Sequence, residues 1–413
     1  MKNILYICYV YSTLIKNNMD TINNKLKISP KELLEFFIKK GELTIPQISK
    51  ELDLSIPTTN KLISYLYENN YIINTGKVEK AEGRPPSLYK VNSNIGQFVG
   101  VDIKKDFVHI SLMDFSGKII RYQSYRYNFN NTPKDLKDLC NIINSAFKEW
   151  SLNKTMVKYI GINIPGRIDA ESGISHTFFS FLEDPITEVL EYELNHKIVI
   201  ENDTRAMLMG ELFMGNYSEK NIIFINIGWG LGSAMVINGE IVRGRYGYAG
   251  ELGHFYAYDN EMLCHCGKKG CLETEVSGYT LHRKLMESLK NGKNSILSEK
   301  VNKNENISLK DIIEATNSDD ILCIDMVEKL GSELGKHVSN LINLLNPELI
   351  IIGGTMAATG EYFFLPLKSS IKKYTLKIVN KNTNIIISKL SKNCGSIGAC
   401  YIARERFIKQ MDV

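Results

Sequence analysis

Charge of one sign is what this sequence has least of. Across 413 residues, 50 lysines and arginines face 46 acids, a formal net charge of +4. No whole-molecule field therefore announces a nucleic-acid partner, and DNA binding has to be argued from local pattern. Long apolar runs are lacking too. The one example, Ile4 to Ile15 after a single Lys2, is too short to span a bilayer, has no small-residue cleavage site and is followed by Lys16 and two asparagines. We read residues 1–18 as an N-terminal extension, with Met19 as an alternative start, and expect no membrane partner. A disulfide framework is missing as well. Cys264, Cys266 and Cys271 crowd together, while Cys8, Cys140, Cys323, Cys394 and Cys400 are scattered. That distribution fits a reducing cytoplasm, not a secreted scaffold.

What is present is enough apolar material, 44% of residues, to bury more than one core, so two or three domains are expected. Over residues 19–92 the pattern is helical and then extended. Ser29-Pro30 followed by Leu33, Phe36 and Phe37 predicts a capped amphipathic helix ending at Gly41. Thr44 caps a second helix with Ile48 and Leu52 on one face. Asp53 occupies the turn, Leu54 plugs the corner, and Ser55 caps a third helix to about Asn69, with Leu62 and Leu66 packing back. Tyr71-Ile72-Ile73, a polar turn around Gly76, and Ser87 to Val91 then make a hairpin. This is the grammar of a winged helix-turn-helix, in which the third helix enters a major groove.

Pro57, Thr58, Thr59, Asn60 and Lys61 lie at the start of that helix, where base edges are read, and Arg84, in the Gly83-Arg84-Pro85-Pro86 wing, would reach a phosphate or a narrow minor groove. From Asp20 to Val91, ten lysines and one arginine face nine acids. Affinity from charge alone is thus modest, and a homodimer or dimer of dimers on an inverted-repeat operator is expected.

From Phe98 strands alternate with helices, the signature of an α/β domain. Phe98 to Asp102, Val108 to Met113, Ile119 to Tyr125, Tyr159 to Asn163 and Ile198 to Glu201 read as strands, with helices from Pro133 to Trp150 and Asp203 to Gly215. The same grammar restarts at Ile222 to Ile227 and Gly232 to Ile237, turns at Asn238-Gly239 into Glu240 to Val242, and continues through a helix from Asp319 to Leu345 into Leu349 to Ile352. Duplication of this unit predicts two lobes with a ligand cleft between them, lobe one over about 95–215 with the C-terminal helix and lobe two over about 220–390.

The strongest local chemistry is His254 followed by Cys264, Cys266 and Cys271. Three thiols and an imidazole are the donor set of a closed, structural zinc site, and with four protein ligands no position stays open for a hydrolytic water. His265, wedged between two cysteines, reads as a bystander.

These residues carry a resemblance. Gly250-Glu251-Leu252-Gly253-His254, then Cys264-x-Cys266-Gly267-x-x-Gly270-Cys271-x-Glu273, resembles the paired signature of the ROK family of repressors and sugar kinases. Together with Glu201-Asn202-Asp203 and Gly353-Gly354, the resemblance covers residues 95–413, and the winged segment matches the repressor branch. It implies a two-lobed α/β fold of the actin and hexokinase (ribonuclease H-like) type. Asn202, Asp203, Glu251, His254 and Glu273 would then bind the hydroxyls of a sugar or sugar-phosphate inducer, and Asp203 corresponds to the catalytic base of kinase members. His254 can ligate zinc through one ring nitrogen and offer the other to the sugar.

One departure separates the branches. Where the kinases have a glycine-rich phosphate loop after the first strand, this chain has Asp102-Ile103-Lys104-Lys105-Asp106. Without glycine the backbone cannot approach a phosphate closely, although two lysines could attract one. The expectation is therefore a sugar-responsive repressor with no catalytic residues, against the alternative of a sugar kinase that carries a DNA-binding segment.

Overall fold

The computed structural model describes residues 28–77, 85–390 and 393–411; the extension over 1–18 and Arg84 of the wing lie outside these. The chain divides into two compact units. One holds the residues up to Ile95 with Phe115–Gly117 and the stretch from Ile408, the other Gly96–Asp114 and Lys118–Phe407.

In the first unit, α1 (Pro30–Lys40) starts at Ser29, whose hydroxyl accepts from the Glu32 amide while Glu32 accepts from the Ser29 amide. This capping box gives partners to N–H groups that a first helical turn leaves unpaired. After β1 (Leu43–Thr44), Thr44 and Gln47 cap α2 (Ile45–Glu51) the same way. Asp53 makes the turn with φ of 50°, and Ser55 caps α3 (Ile56–Glu68).

Leu33, Leu34, Phe37, Ile48, Ile63 and Leu66 are buried, at roughly 1.5–3 kcal/mol each, and this core fixes α3 against α1 and α2. Ile63 takes the place expected for Leu62, which is half-buried, because the inward stripe of α3 runs Thr59, Ile63, Leu66. β2 (Ile72–Lys77) and β3 (Ser87–Val91) pair antiparallel, with β1 on the other edge of β3. Gly76 is not in the turn but inside β2, at φ of 124°, beside a register shift that starts at Asn74.

The second unit contains two five-stranded sheets of the same topology. The first runs β4 (Gln97–Ile103), β5 (Phe107–Asp114), β6 (Ile119–Arg126), then α4 (Pro133–Glu149) and β7 (Val157–Ile164). A short hairpin of β8 (Ile168–Asp169) and β9 (Ile174–Ser175), then α5 (Ile186–Leu194), lead to β10 (Lys197–Asn202). The strand order is β10-β7-β4-β5-β6, with β4 antiparallel to β5 and parallel to β7.

After α6 (Asp203–Gly215) the pattern repeats as β11 (Ile222–Ile227), β12 (Leu231–Ile237) and β13 (Glu240–Ile241). Both residues of the Asn238-Gly239 turn have positive φ, as a primed hairpin turn requires. Helices α7 (Gly278–Lys290), α8 (Ser298–Asn302), α9 (Leu309–Asn317) and α10 (Ile321–Leu345) follow, then β14 (Leu349–Gly353), α11 (Glu361–Tyr374), α12 (Lys377–Asn380) and β15 (Asn384–Ile387). The second order, β13-β12-β11-β14-β15, matches the first read from β6 to β10.

The chain closes with α13 (Cys394–Gln410) lying on the first sheet; a Cβ at Gly161 would stand 2.1 Å from the Ala399 carbonyl oxygen. Helix α6, assigned from sequence to the first lobe, packs on both: Met207 and Leu208 are buried with Phe224, Ala234 and Ile351 of the second sheet, while Gly210 lies against α13. Its N-terminus thus marks where the lobes meet. No helix among the described residues is long and apolar enough to cross a membrane.

Candidate functional site

Asn202 ends β10 and caps α6. Its side-chain oxygen accepts from the Arg205 amide at 3.0 Å, and its Nδ2 donates to the Gly166 carbonyl at 2.9 Å. Beneath it the buried Glu201 pairs with Arg205 Nε at 2.8 Å and Arg243 Nη2 at 3.2 Å. A carboxylate this deeply desolvated persists only with such partners, so the acid under the site is a brace and not a ligand. Asp203 opens α6. Its Oδ1 accepts from the Thr204 amide at 2.8 Å, while Oδ2 faces Lys104 Nζ at 3.7 Å. Thr204 Oγ1 accepts from Asn226 Nδ2 at 3.0 Å and would lie 2.5 Å from a Cβ at Gly232, so the helix start is seated on the second sheet.

The other expected residues approach from that sheet. Gly250, at φ of 96°, and Gly253 let the loop lie directly on β12; a Cβ at Gly253 would be 2.3 Å from the Leu231 carbonyl oxygen. Glu251 and His254 project from this loop, with Glu251 Oε2 3.7 Å from His254 Nε2. The opposite ring nitrogen, Nδ1, is 3.6 Å from Cys264 Sγ, and Cys266 and Cys271 place their sulfurs 3.6 Å apart. Ligand atoms of His254, Cys264, Cys266 and Cys271 all lie within 4.8 Å of one another.

A tetrahedral site with metal–sulfur bonds of about 2.3 Å has edges of about 3.8 Å, so the cluster has the size to hold an ion. Burial pushes the Cys271 thiol up to about 12 and raises Cys264, while burial holds His254 below the usual imidazole range. Neutral imidazole is ready to ligate; the buried thiols ionise only beside a cation.

Glu273 follows Cys271 on a single 3-10 turn, Leu272–Thr274. Its Oε2 accepts from the Leu231 amide at 2.8 Å, and Oε1 faces His265 Nδ1 at 2.9 Å. Burial opposes ionisation of Glu273, but these partners outweigh it and hold the carboxyl below its usual range. His265 is therefore no bystander. Its flanking cysteines turn inward, which leaves its ring to swing over and orient Glu273.

Sequence reasoning also missed Arg167, whose Nε is 3.7 Å from Glu251 Oε2. With Gly166 bonded to Asn202, this two-residue segment joins the two halves of the site, yet nothing in the periodicity around Pro165 marks it. The glycine-free turn after β4 is occupied by its own side chains. Lys104 lies between Asp102 and Asp203, and Lys105 sits on the Trp229 ring of the second lobe.

In the first unit, Pro57, Thr58, Asn60 and Lys61 are exposed on the first turns of α3. Thr59 is not available to a base. It is fully buried, with Oγ1 donating to the Ser55 carbonyl at 3.1 Å, because it precedes Ile63 by one helical turn on the core face.

Comparison with known proteins places this geometry among relatives of two kinds. A xylose repressor from Caldicellulosiruptor bescii is 29% identical over 357 residues, covering 85% of this chain and 89% of the relative. A glucokinase from Thermotoga maritima is 29% identical over 314 residues, covering 75% of this chain and 98% of the relative. The crystal structure of a ROK family transcriptional regulator, a homolog of the E. coli MLC protein, superposes with a TM-score of 0.75 at 26% identity, over 92% of this chain and 96% of that one. The ROK family itself matches residues 98–406. Because that match takes in both lobes and the thiol-bearing loop, the chain belongs to the ROK family.

Proposed function

We propose that this chain is a sugar-responsive, DNA-binding transcriptional repressor of carbohydrate uptake or catabolism genes, working in the cytoplasm. Residues 19–92 form its DNA-binding head, and residues 95–413 bind a sugar or sugar-phosphate inducer through Asn202, Asp203, Glu251, His254 and Glu273. Zinc held by His254, Cys264, Cys266 and Cys271 is structural: it fixes the loop that presents the sugar ligands. Pro57, Thr58, Asn60 and Lys61 face the bases of an inverted repeat, with Arg84 on the backbone or minor groove, and two heads of a homodimer or dimer of dimers share the site.

The observation that carries this reading is the exposed, short polar surface at the start of α3, in a chain whose similarity to a xylose repressor extends over 85% of its length. An inducer weakens operator binding only as far as it prefers a lobe arrangement that misplaces the heads.

The test is fluorescence anisotropy on inverted-repeat DNA selected from a random pool, with calorimetry against a panel of sugars and sugar phosphates. Glu251→Gln retains operator binding and loses release by sugar. Lys61→Ala keeps sugar affinity and weakens operator binding. Loss of DNA binding in the Glu251 variant, or wild-type DNA affinity across salt in the Lys61 variant, refutes the division of labour. The kinase alternative, favoured by the glucokinase similarity, requires ATP turnover at roughly 1–10³ s⁻¹ with some hexose.

A further inference from the structure

Among the described residues, Cys264 belongs to two sets of metal-ligating groups. Its sulfur lies 3.6 Å from His254 Nδ1, inside the four-donor cluster, and 3.8 Å from Nδ1 of His265, the next residue in the chain. The second set is Cys264, His265 and Glu273, whose ligand atoms all fall within 4.8 Å of one another. The two imidazoles stand side by side, with ring centroids 5.2 Å apart. A tetrahedral ion bonded to sulfur at about 2.3 Å and to imidazole nitrogen at about 2.0–2.1 Å spans a sulfur–nitrogen edge of about 3.6 Å. Both nitrogens are therefore at ligand spacing from the one sulfur.

The third donor is held in place from behind. Glu273 Oε2 accepts from the Leu231 amide at 2.8 Å, which fixes the carboxylate with Oε1 facing His265 Nδ1 at 2.9 Å. Glycines keep the space around it clear: a Cβ would stand 2.7 Å from Oε2 at Gly230 and 3.4 Å from it at Gly253. An ion seated between the ring nitrogen and Oε1 needs that pair to open by only about 0.4 Å. The His265 side chain is 64% exposed, whereas Cys264 is buried, so the set is open to solvent at its imidazole and closed by sulfur at its floor.

We propose that Cys264, His265 and Glu273 form a second, regulatory site for a borderline-soft divalent ion such as zinc, joined to the four-donor cluster by a bridging Cys264 thiolate. A thiolate keeps lone pairs after binding one such ion and can bond a second. Three protein ligands leave the fourth position of the second ion to water, as in open zinc sites. In its present state the set is closed by the contact between His265 and Glu273, which the ion replaces. Once bound, the ion takes Glu273 Oε1 away from any sugar hydroxyl, so excess metal acts against the inducer. This regulatory half rests on the proposed sugar role of Glu273; the existence of the second site does not.

The experiment uses the full-length protein, loaded with one cobalt(II) ion per chain and then dialysed against excess cobalt(II). Metal content and electron paramagnetic resonance are read in the wild type, in His265→Gln and in Glu273→Gln; each substitution keeps a hydrogen-bonding group and removes a ligand. The wild type should hold two ions per chain, with their resonance diminished by coupling through the shared sulfur, and each variant one. A single ion in the wild type, or two in His265→Gln, overturns the site. Two ions with full, uncoupled signals overturn the bridge. Calorimetry with D-xylose and with D-glucose should then show sugar affinity lower by about 10-fold or more in the two-ion than in the one-ion wild type, with no such metal effect in His265→Gln. Equal affinity in the two wild-type states overturns the capture of Glu273. If neither sugar binds the one-ion protein, the inducer reading fails for these sugars, and ion count and coupling alone decide the second site.

Discussion

Replacing Cys266 by Ser tests whether the proposed metal loop and the proposed sugar ligands form one mechanical unit. Cys266 supplies one corner of the four-atom cluster, 3.6 Å from Cys271 Sγ. Without it, three donors remain, and the buried Cys264 and Cys271 thiols would lose the proposed cation that favours their ionised forms. The loop then slackens at both ends of the proposed sugar site. His254 Nε2 loses its aim toward Glu251, now 3.7 Å away, and Glu273, one residue beyond Leu272, loses the anchor at Cys271. A hydrogen bond to a charged group is worth about 1.5–3 kcal/mol. Misplacing one such ligand therefore weakens inducer binding roughly 10- to 150-fold. Operator affinity should not change, since the proposed DNA-binding head lies in the other compact unit. Metal content by emission spectroscopy, with calorimetry against the sugar that stabilises the wild type, measures both. A variant that keeps stoichiometric zinc, or a zinc-free one that binds sugar at wild-type affinity, refutes the reasoning.

Three further outcomes follow from the packing and charge. Gly161→Ala sets a methyl 2.1 Å from the Ala399 carbonyl oxygen, backbone against backbone, so α13 has to shift; thermal denaturation should show a loss of roughly 1–3 kcal/mol. Thr59→Val removes one bond to a carbonyl inside α3 and should cost about 1 kcal/mol or less of stability with no change in operator affinity, whereas Asn60→Ala should lower that affinity in the same anisotropy assay. For Asp102 the folded carboxyl, at about 6, lies above its unfolded value of 3.8. Its contribution to stability is complete below pH 3.8 and is lost as pH rises through 6, so Asp102→Asn should gain on the wild type by on the order of 3 kcal/mol between those limits and no further above them. Denaturant titrations at pH 4, 5, 6 and 7 read the difference, and a gap that is flat with pH would remove the buried charge from the account.

The parts of this molecule legible in sequence are those in which a residue acts through its neighbours in the chain. Caps at Ser29, Thr44 and Ser55 show because the bond they make spans three residues, and the duplicated strands show because burial on both faces leaves continuous apolar runs such as Leu349 to Ile352. The convergence of His254 with Cys264, Cys266 and Cys271 shows because the three thiols fall within eight residues. Thr59 is misread by one position on a helix, where a shift of 100° separates groove from core and a threonine suits either.

What sequence could not show depends on pairs brought together from afar. Arg167 meets Glu251, His265 meets Glu273 across a loop, and Lys105 meets Trp229 across the cleft. The last case carries the most weight. By resemblance to the kinase members of the family, two lysines in place of glycines read as a phosphate loop that had lost its backbone approach but kept its charge. In the fold both ammonium groups are already spent, one between two carboxylates and one on an indole. The positive charge at this turn is therefore directed inward, to the chain's own acids and ring.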